Sequence, residues 1–105
     1  MEDATVRLAV VGLGNWGKNV ARSFAGASRC RLARLCDTQP GTAARQQAFF
    51  ADARAGSCFD EILADSSIDA VALATPAPCH FEMARAALLA DKHVFVEKPL
   101  ALLTA

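Results

Sequence analysis

Apolar residues along this chain fall into two patterns: short continuous runs, and longer stretches in which they recur every three or four positions. The short runs predict buried strands at 6–11, 31–36, 57–59, 70–74 and 92–96. The longer stretches predict a helix after the first strand and helices over 42–54 and 79–90, with a single helical turn at 60–64. Strands that alternate with helices indicate an α/β fold, a Rossmann-like, doubly wound parallel sheet in the order 3-2-1-4-5.

The two later helices are each predicted to bury one stripe of small and apolar side chains. The stripe of the first comprises Ala44, Ala48, Phe49 and Ala51, and that of the second comprises Met83, Ala84, Ala87 and Leu88. An acidic residue, Asp60, is expected to cap the helical turn. His93 opens a buried strand and is expected to pack or cap.

The first strand runs directly into a glycine turn with the pattern GxGxxG. Gly12 would permit the tight turn, Gly14 would let the backbone approach a pyrophosphate, and Gly17 would let the helix sit close on the strand. The free N–H groups at the helix start favour a doubly charged anion, so a dinucleotide is the expected ligand. Asn15 and Trp16 complete the set of candidate contacts, although the spacing of Trp16 with the apolar positions that follow it favours core packing over a contact with the cofactor ribose.

Asp37 follows the second strand, about 20 residues beyond the glycine turn, as the dinucleotide fingerprint requires. A carboxylate there would accept hydrogen bonds from both adenosine ribose hydroxyls and would repel a 2′-phosphate. The expected cofactor is therefore NAD rather than NADP. The alternative is that Asp37 only begins the turn before Pro40, since Asp is a common turn residue.

The composition narrows the classes of partner. The 105 residues, taken as one dinucleotide-binding domain over 1–105, carry 11 basic and 11 acidic side chains, so no electrostatic footprint for nucleic acid or an anionic membrane is present. No apolar run approaches the roughly 20 residues that span a bilayer, and the acidic start does not resemble a signal segment, so a cytoplasmic location is expected. The arginines that flank the second strand, Arg29, Arg31 and Arg34, are expected to be solvated.

The four cysteines, Cys30, Cys36, Cys58 and Cys79, lack the spacing of a metal site or a disulfide framework. They are expected to be reduced, buried thiols, and no metal is expected.

Residues beyond the glycine turn resemble one family. Cys36-Asp37, Ala74-Thr75-Pro76 with His80, and His93 to Leu100 with its Glu97-Lys98-Pro99 sequence make the whole chain similar to the N-terminal half of a Gfo/Idh/MocA-type oxidoreductase, the group of glucose-fructose oxidoreductase and inositol 2-dehydrogenase. The run Trp16 to Asn19 is similar to the branch that oxidises sugar nucleotides such as UDP-N-acetylglucosamine.

The resemblance implies roles for particular residues. Lys98 would be the catalytic lysine beside the nicotinamide, binding the substrate hydroxyl that loses its proton, and Glu97 would adjoin the cofactor; the alternatives are an exposed lysine in a turn and a glutamate that pairs with it. Thr75 and Pro76 would form the loop under the cofactor, where Ala77 departs from the family's frequent Asn. His80 matches a family histidine but fits a surface position equally. Asp91 stands where the family usually has glycine, so a left-handed backbone is expected there.

The resemblance also predicts what this chain would do. Family enzymes continue into a second α/β domain, so the chain is expected to be a truncated cofactor domain that binds NAD without appreciable turnover on a sugar, cyclitol or sugar nucleotide. The alternatives are a non-catalytic NAD-binding sensor or regulatory module, which has no use for Lys98, and an inactive gene fragment. The apolar fifth strand of this chain would lie at an edge of the sheet. An unpaired apolar edge predicts self-association.

Overall fold

A computed structural model describes residues 5–50, 53–75 and 77–96, with the side chains of 15, 16, 40 and 77–80 left aside. Within these ranges five strands alternate with four helices. In chain order they are β1 Val6–Val11, α1 Asn15–Ala25, β2 Cys30–Cys36, α2 Pro40–Gln47, β3 Arg54–Gly56, α3 Phe59–Ala64, β4 Ala70–Leu73, α4 Ala77–Leu89 and β5 His93–Val96.

The five strands form one parallel sheet in the order β3-β2-β1-β4-β5, which confirms the predicted topology. The central strand β1 pairs with β2 on one side and β4 on the other, so that Val10 lies between Leu35 and Ala72. The winding direction reverses between β1 and β4. In sheets of this kind a ligand binds in the crevice outside the carboxyl ends of the strands at that point.

Two apolar layers cover the sheet, one on each face. The layer under α1 and α2 comprises Leu8, Val10, Leu13, Val20, Ala21, Leu32, Leu35, Ala43, Ala53, Ala70 and Ala72. The layer under α3 and α4 comprises Ala9, Val11, Ala33, Cys36, Ile62, Ile68, Val71, Leu73, Ala87 and Val96. Successive residues from Leu8 to Val11 and along β4 thus enter opposite layers, which is why these stretches are apolar throughout.

The second helix is shorter than predicted. α2 ends at Gln47 because the chain then tightens into turns, in which the N–H groups of Phe49 and Phe50 bond carbonyls three residues earlier. The predicted stripe is also wrong: Ala44, Ala48 and Phe49 are exposed, and Ala43 faces the sheet instead. Alanine carries too little apolar area to distinguish the faces of such a helix. Ala51 lies outside the described residues.

The third strand lies three residues before its predicted position. β3 occupies Arg54–Gly56, where Gly56 pairs with Cys36, and Phe59 is already the first residue of α3. The position of β3 along the chain is determined by its pairing with β2 and not by the apolar character of its residues. The helical turn is confirmed, but its N-cap is Cys58, and Asp60 lies in the first turn, where a negative charge complements the helix dipole.

The last helix and strand depart from the prediction at Leu88, His93 and Phe95, whose side chains are exposed. Ala87 is buried and Met83 and Ala84 are half-buried, as predicted, whereas Leu88 is 60% exposed because it lies one residue, about a quarter turn, beyond Ala87. His93 is exposed rather than packed, and only its backbone N–H is engaged, with the Asp69 carbonyl.

The turn between α4 and β5 has the predicted left-handed residue, since Asp91 has φ of 64°. It is followed by Lys92, a buried lysine whose Nζ donates to the carbonyl oxygens of Asp65 at 2.8 Å and Ile68 at 2.9 Å. These bonds satisfy a charge that burial would otherwise penalise. They tie the turn before β5 to the loop before β4.

The prediction that the arginines flanking β2 are solvated is confirmed in part. Arg29 and Arg31 are exposed, while Arg34 is half-buried and its Nη2 lies 3.7 Å from Oε1 of Glu61 on α3. Arg34 therefore lies against the helix that covers its face of the sheet.

The fifth strand is an edge of the sheet in the described part of the chain, and Phe95 on it is 43% exposed. We expect self-association, because an uncharged apolar edge is a template for strand pairing. Phe95→Lys should reduce the apparent mass measured by light scattering at high concentration. Phe49→Lys, which changes a 75% exposed residue away from this edge, is the control and should not. A strictly monomeric unmodified chain would contradict the prediction.

Candidate functional site

Gly12 begins the turn between β1 and α1 and is confined by its neighbours. Its φ is +94°, a left-handed value that favours glycine, and its N–H donates to the Cys36 carbonyl at 2.8 Å. A Cβ placed there would lie 2.9 Å from both the Ala74 carbonyl carbon and the Thr75 nitrogen. The turn is therefore pressed against the end of β4, and only glycine fits.

The other two glycines differ in what surrounds them. A Cβ on Gly17 would overlap the carbonyl oxygen of Gly12, so the helix approaches the turn as closely as the backbone allows. A Cβ on Gly14 would meet nothing within 4 Å, because this N-cap residue faces open space. Gly17 thus serves packing, and Gly14 leaves room for a ligand beside the first N–H groups of α1.

Asp37 joins the glycine turn to the loop after β2. Its Oδ2 accepts a hydrogen bond from the Leu13 N–H at 2.7 Å, and its Oδ1 accepts one from the Gln39 N–H at 2.9 Å. It therefore does begin the turn, as the alternative interpretation held, but it also braces the glycine turn. Because each carboxylate oxygen can accept a second bond, both oxygens can still accept from a pair of vicinal hydroxyls.

Cys36 is the last residue of β2 and directly precedes Asp37. Burial, and then the neighbouring charge of Asp37, raises the pKa of its thiol to about 11. The thiol is therefore neutral near pH 7 and is a packing group rather than a nucleophile. The expectation of buried thiols holds for Cys36, whereas Cys30 is half-buried and Cys58 is exposed. Cys79 is among the residues whose side chains are not described.

Thr75 follows β4 at the same edge of the sheet. It is half-buried, and its hydroxyl donates to the Met83 sulfur at 3.5 Å. Ala74 beside it donates its N–H to the Val11 carbonyl at 2.8 Å, so the loop after β4 is held against the end of β1.

The structure therefore brings Gly12, Gly14, Gly17, Asp37 and Thr75 to one edge of the sheet, at the carboxyl ends of β1, β2 and β4. The backbone at 15, 16 and 80 lies in the first turns of α1 and α4, but the side chains of Asn15, Trp16 and His80 are not described. Pro76, Glu97 and Lys98 lie outside the described residues, so their roles stay predictions.

Two residues of this edge were missed by the sequence analysis. Leu13 contributes its N–H to Asp37, and a backbone donor leaves no trace in residue type. Met83 was assigned only to a buried stripe, and its sulfur accepts the Thr75 hydroxyl. Its separation of eight residues from Thr75 offers no pattern that sequence reasoning recognises.

No group of three or more His, Cys, Asp or Glu side chains in the described ranges is placed to hold a metal ion. None of the helices in those ranges combines the length and apolar character needed to cross a bilayer.

Comparisons with known proteins agree with the fold described above. Residues 6–105 match the sequence profile of Gfo/Idh/MocA, described as an oxidoreductase family with an NAD-binding Rossmann fold. A glycosyl hydrolase family 109 protein of Shewanella amazonensis is 33% identical, over 92% of this chain and 23% of its own length. The chain spans about a quarter of the length of the curated relatives it matches, for example 22% and 29%.

Two solved structures share the fold. The scyllo-inositol dehydrogenase of Lactobacillus casei, with NAD(H) and scyllo-inositol bound, has a TM-score of 0.84 and 30% identity over 90% of this chain and 28% of its own. The UDP-N-acetylglucosamine 3-dehydrogenase of Acidithiobacillus ferrooxidans has a TM-score of 0.80 and 34% identity over 90% of this chain and 30% of its own.

The different surroundings of the glycines predict separable effects of adding one methyl group. Gly17→Ala should lower the free energy of unfolding by about 1–3 kcal/mol, because α1 must move away from Gly12. Gly14→Ala should lower the melting temperature less than Gly17→Ala does, because it changes only an N-cap residue, but it should weaken NAD(H) binding, because its methyl group occupies the space left for the ligand. Thermal unfolding and calorimetric titration measure the two effects. A Gly14→Ala protein with normal affinity would show that no ligand approaches this residue.

Proposed function

Because the chain belongs to the Gfo/Idh/MocA oxidoreductase family and has its NAD-binding Rossmann fold, we propose that it is the cofactor domain for hydride transfer between NAD and a hydroxyl carbon of a sugar, cyclitol or sugar nucleotide. The observation that carries this proposal is the Asp37 brace beside the open space at Gly14. It supports a site for a pyrophosphate and an adenosine ribose side by side. The substrate class is supported by the two dehydrogenases of similar structure, which act on an inositol and a sugar nucleotide.

The surroundings of Asp37 favour NAD over NADP. The carboxylate is half-buried and already holds two backbone N–H groups, so it cannot swing away from a 2′-phosphate without breaking both bonds. Thr38 and Gln39, which follow it, supply no cation to pair with such a phosphate. A bound NADP would therefore place its extra negative charge beside a fixed negative charge.

The chemical step is assigned to Lys98 on the strength of the Glu97-Lys98-Pro99 sequence. An ammonium group that follows β5 would stabilise the negative charge that develops on the substrate oxygen as its hydride leaves. Glu97, Pro76 and His80 are proposed to line the same crevice with Asn15 and Trp16. Dehydrogenation needs a base and a substrate pocket as well, and the relatives are about four times as long as this chain.

A second candidate reaction comes from the relative of Shewanella amazonensis, whose name assigns it to glycosyl hydrolase family 109. Some glycoside hydrolases depend on NAD rather than on a pair of carboxylates. Such a reaction would return the bound cofactor to its starting oxidation state, so NADH would not accumulate. Release of the aglycone without NADH would favour this candidate over net dehydrogenation.

Cofactor preference is tested by changing the Asp37 carboxylate to an amide. Asp37→Asn should narrow the preference for NAD(H) over NADP(H) by about tenfold, or about 1.4 kcal/mol, because the repelling charge is lost. It should also cost about 1–3 kcal/mol of stability, because the amide nitrogen faces a backbone N–H donor. Calorimetry with both cofactors measures the preference.

Asp69→Asn provides the matched control. Asp69 Oδ2 also accepts a backbone N–H, from Arg7 at 2.9 Å, but at the opposite edge of the sheet. This variant should lose stability without changing the cofactor preference. Equal or tighter binding of NADP(H) by the unmodified chain would overturn the assignment.

We expect these 105 residues alone to bind NAD(H) without appreciable turnover. Positioning of the substrate can be worth roughly 7–11 kcal/mol of the barrier, and His80 is the only substitute base that the sequence suggests. Absorbance of NADH and release of a chromogenic aglycone, followed over sugars, sugar nucleotides and aryl glycosides, would reveal either reaction. Robust turnover that Lys98→Ala abolishes would show that the short chain is a complete enzyme.

A further inference from the structure

We propose that Met83 is a positioning residue of the cofactor crevice, acting through the hydrogen bond that its thioether sulfur accepts from the Thr75 hydroxyl. This inference rests on the proposed function, because it concerns how the free protein holds the crevice ready for NAD. The bond joins the second turn of α4 to the loop that follows β4.

The path from the sulfur to the crevice consists of direct contacts. Met83 packs on the apolar layer under α3 and α4, which holds its side chain from one side. Its sulfur lies 3.5 Å from Thr75 Oγ1, and the Thr75 nitrogen lies 2.9 Å from where a Cβ of Gly12 would be. A shift of Thr75 away from Met83 would therefore be transmitted to the backbone wall against which the glycine turn is pressed.

The chemistry of sulfur distinguishes this role from simple packing. A thioether is a weak acceptor on a flexible side chain, so it can hold a hydroxyl while filling an irregular apolar gap. An aliphatic side chain of the same shape would pack equally well but could not accept the hydrogen bond. A purely structural role therefore predicts no effect when the sulfur is replaced by a methylene group, whereas a positioning role predicts one.

Norleucine makes this replacement without changing the shape of the side chain. The sequence contains two methionines, Met1 and Met83, so protein produced with norleucine in place of methionine differs at these two positions alone. Met83→Leu protein, made with methionine and again with norleucine, differs only at position 1 and is the control. Any effect present in the first pair and absent from the second belongs to the sulfur of residue 83.

The first measurement uses the protein without nucleotide. In backbone NMR spectra, the amide signals of Thr75 and Gly12 should shift on norleucine replacement, and the Thr75 amide should exchange faster with solvent. Asp69 and Lys92, at the opposite edge, should keep their signals. Unchanged Thr75 and Gly12 amides would overturn the proposal whether or not the protein binds NAD.

The second measurement is NAD(H) affinity. Norleucine replacement should raise the Kd about three- to tenfold, because the free energy of the lost hydrogen bond sets the limit to which the binding-competent arrangement can be depopulated. In a Thr75→Val background, which lacks the hydroxyl but keeps the branched shape, the same replacement should have no further effect. An undiminished norleucine effect in that background would overturn the proposal. Failure of the methionine protein to bind NAD(H) at all would instead overturn the proposed function, and the amide signals would then decide this inference by themselves.

Discussion

The close approach of α1 to the turn that precedes it is the constraint on which the rest of this structure depends. The backbone of Gly17 lies so near the Gly12 carbonyl that no side chain fits between them, and Gly12 itself adopts a positive φ against the end of β4. These two contacts fix where α1 begins and in which direction it runs. As a result, its first N–H groups face the crevice and its apolar side chains reach the sheet.

The Asp37 carboxylate has a structural role, and it is also the group to which cofactor selection is assigned in the proposed function. Its two oxygens hold the Leu13 and Gln39 N–H groups and so join the glycine turn to the loop after β2. The same bonds fix the orientation of the negative charge that would select between cofactors. Burial is the main reason that the pKa of the Cys36 thiol is raised, and the neighbouring charge of Asp37 raises it further.

The sheet has an amino edge, where its strands begin, and a carboxyl edge, where they end, and the two differ in their contacts. At the amino edge, the Asp69 side chain accepts the N–H of Arg7 in β1, and the Lys92 side chain donates to carbonyls of the loop before β4. At the carboxyl edge, Gly14 faces open space and the oxygens of Asp37 can each accept a further bond. The carboxyl edge therefore combines stabilising contacts of its own with open space and free acceptor capacity for a ligand.

Much of this protein is determined by its sequence alone. The sequence predicted the strands β1, β2, β4 and β5, the glycine turn, the position of Asp37 directly after β2 and the strand order. Each of these follows from local pattern or from the handedness of parallel crossovers. The left-handed Asp91 was predicted from its place in a family pattern.

Tertiary structure alone decided the weaker elements and the fine geometry of the site. β3 is selected by pairing with β2, and Ala43 rather than Ala44 is buried in α2, because short or alanine-rich segments carry too little apolar signal to choose their own register. The Leu13–Asp37 hydrogen bond joins residues 24 positions apart through a backbone N–H. The Thr75–Met83 hydrogen bond joins residues eight positions apart through a sulfur. Such contacts have no sequence signature, because only the folded sheet brings their atoms together.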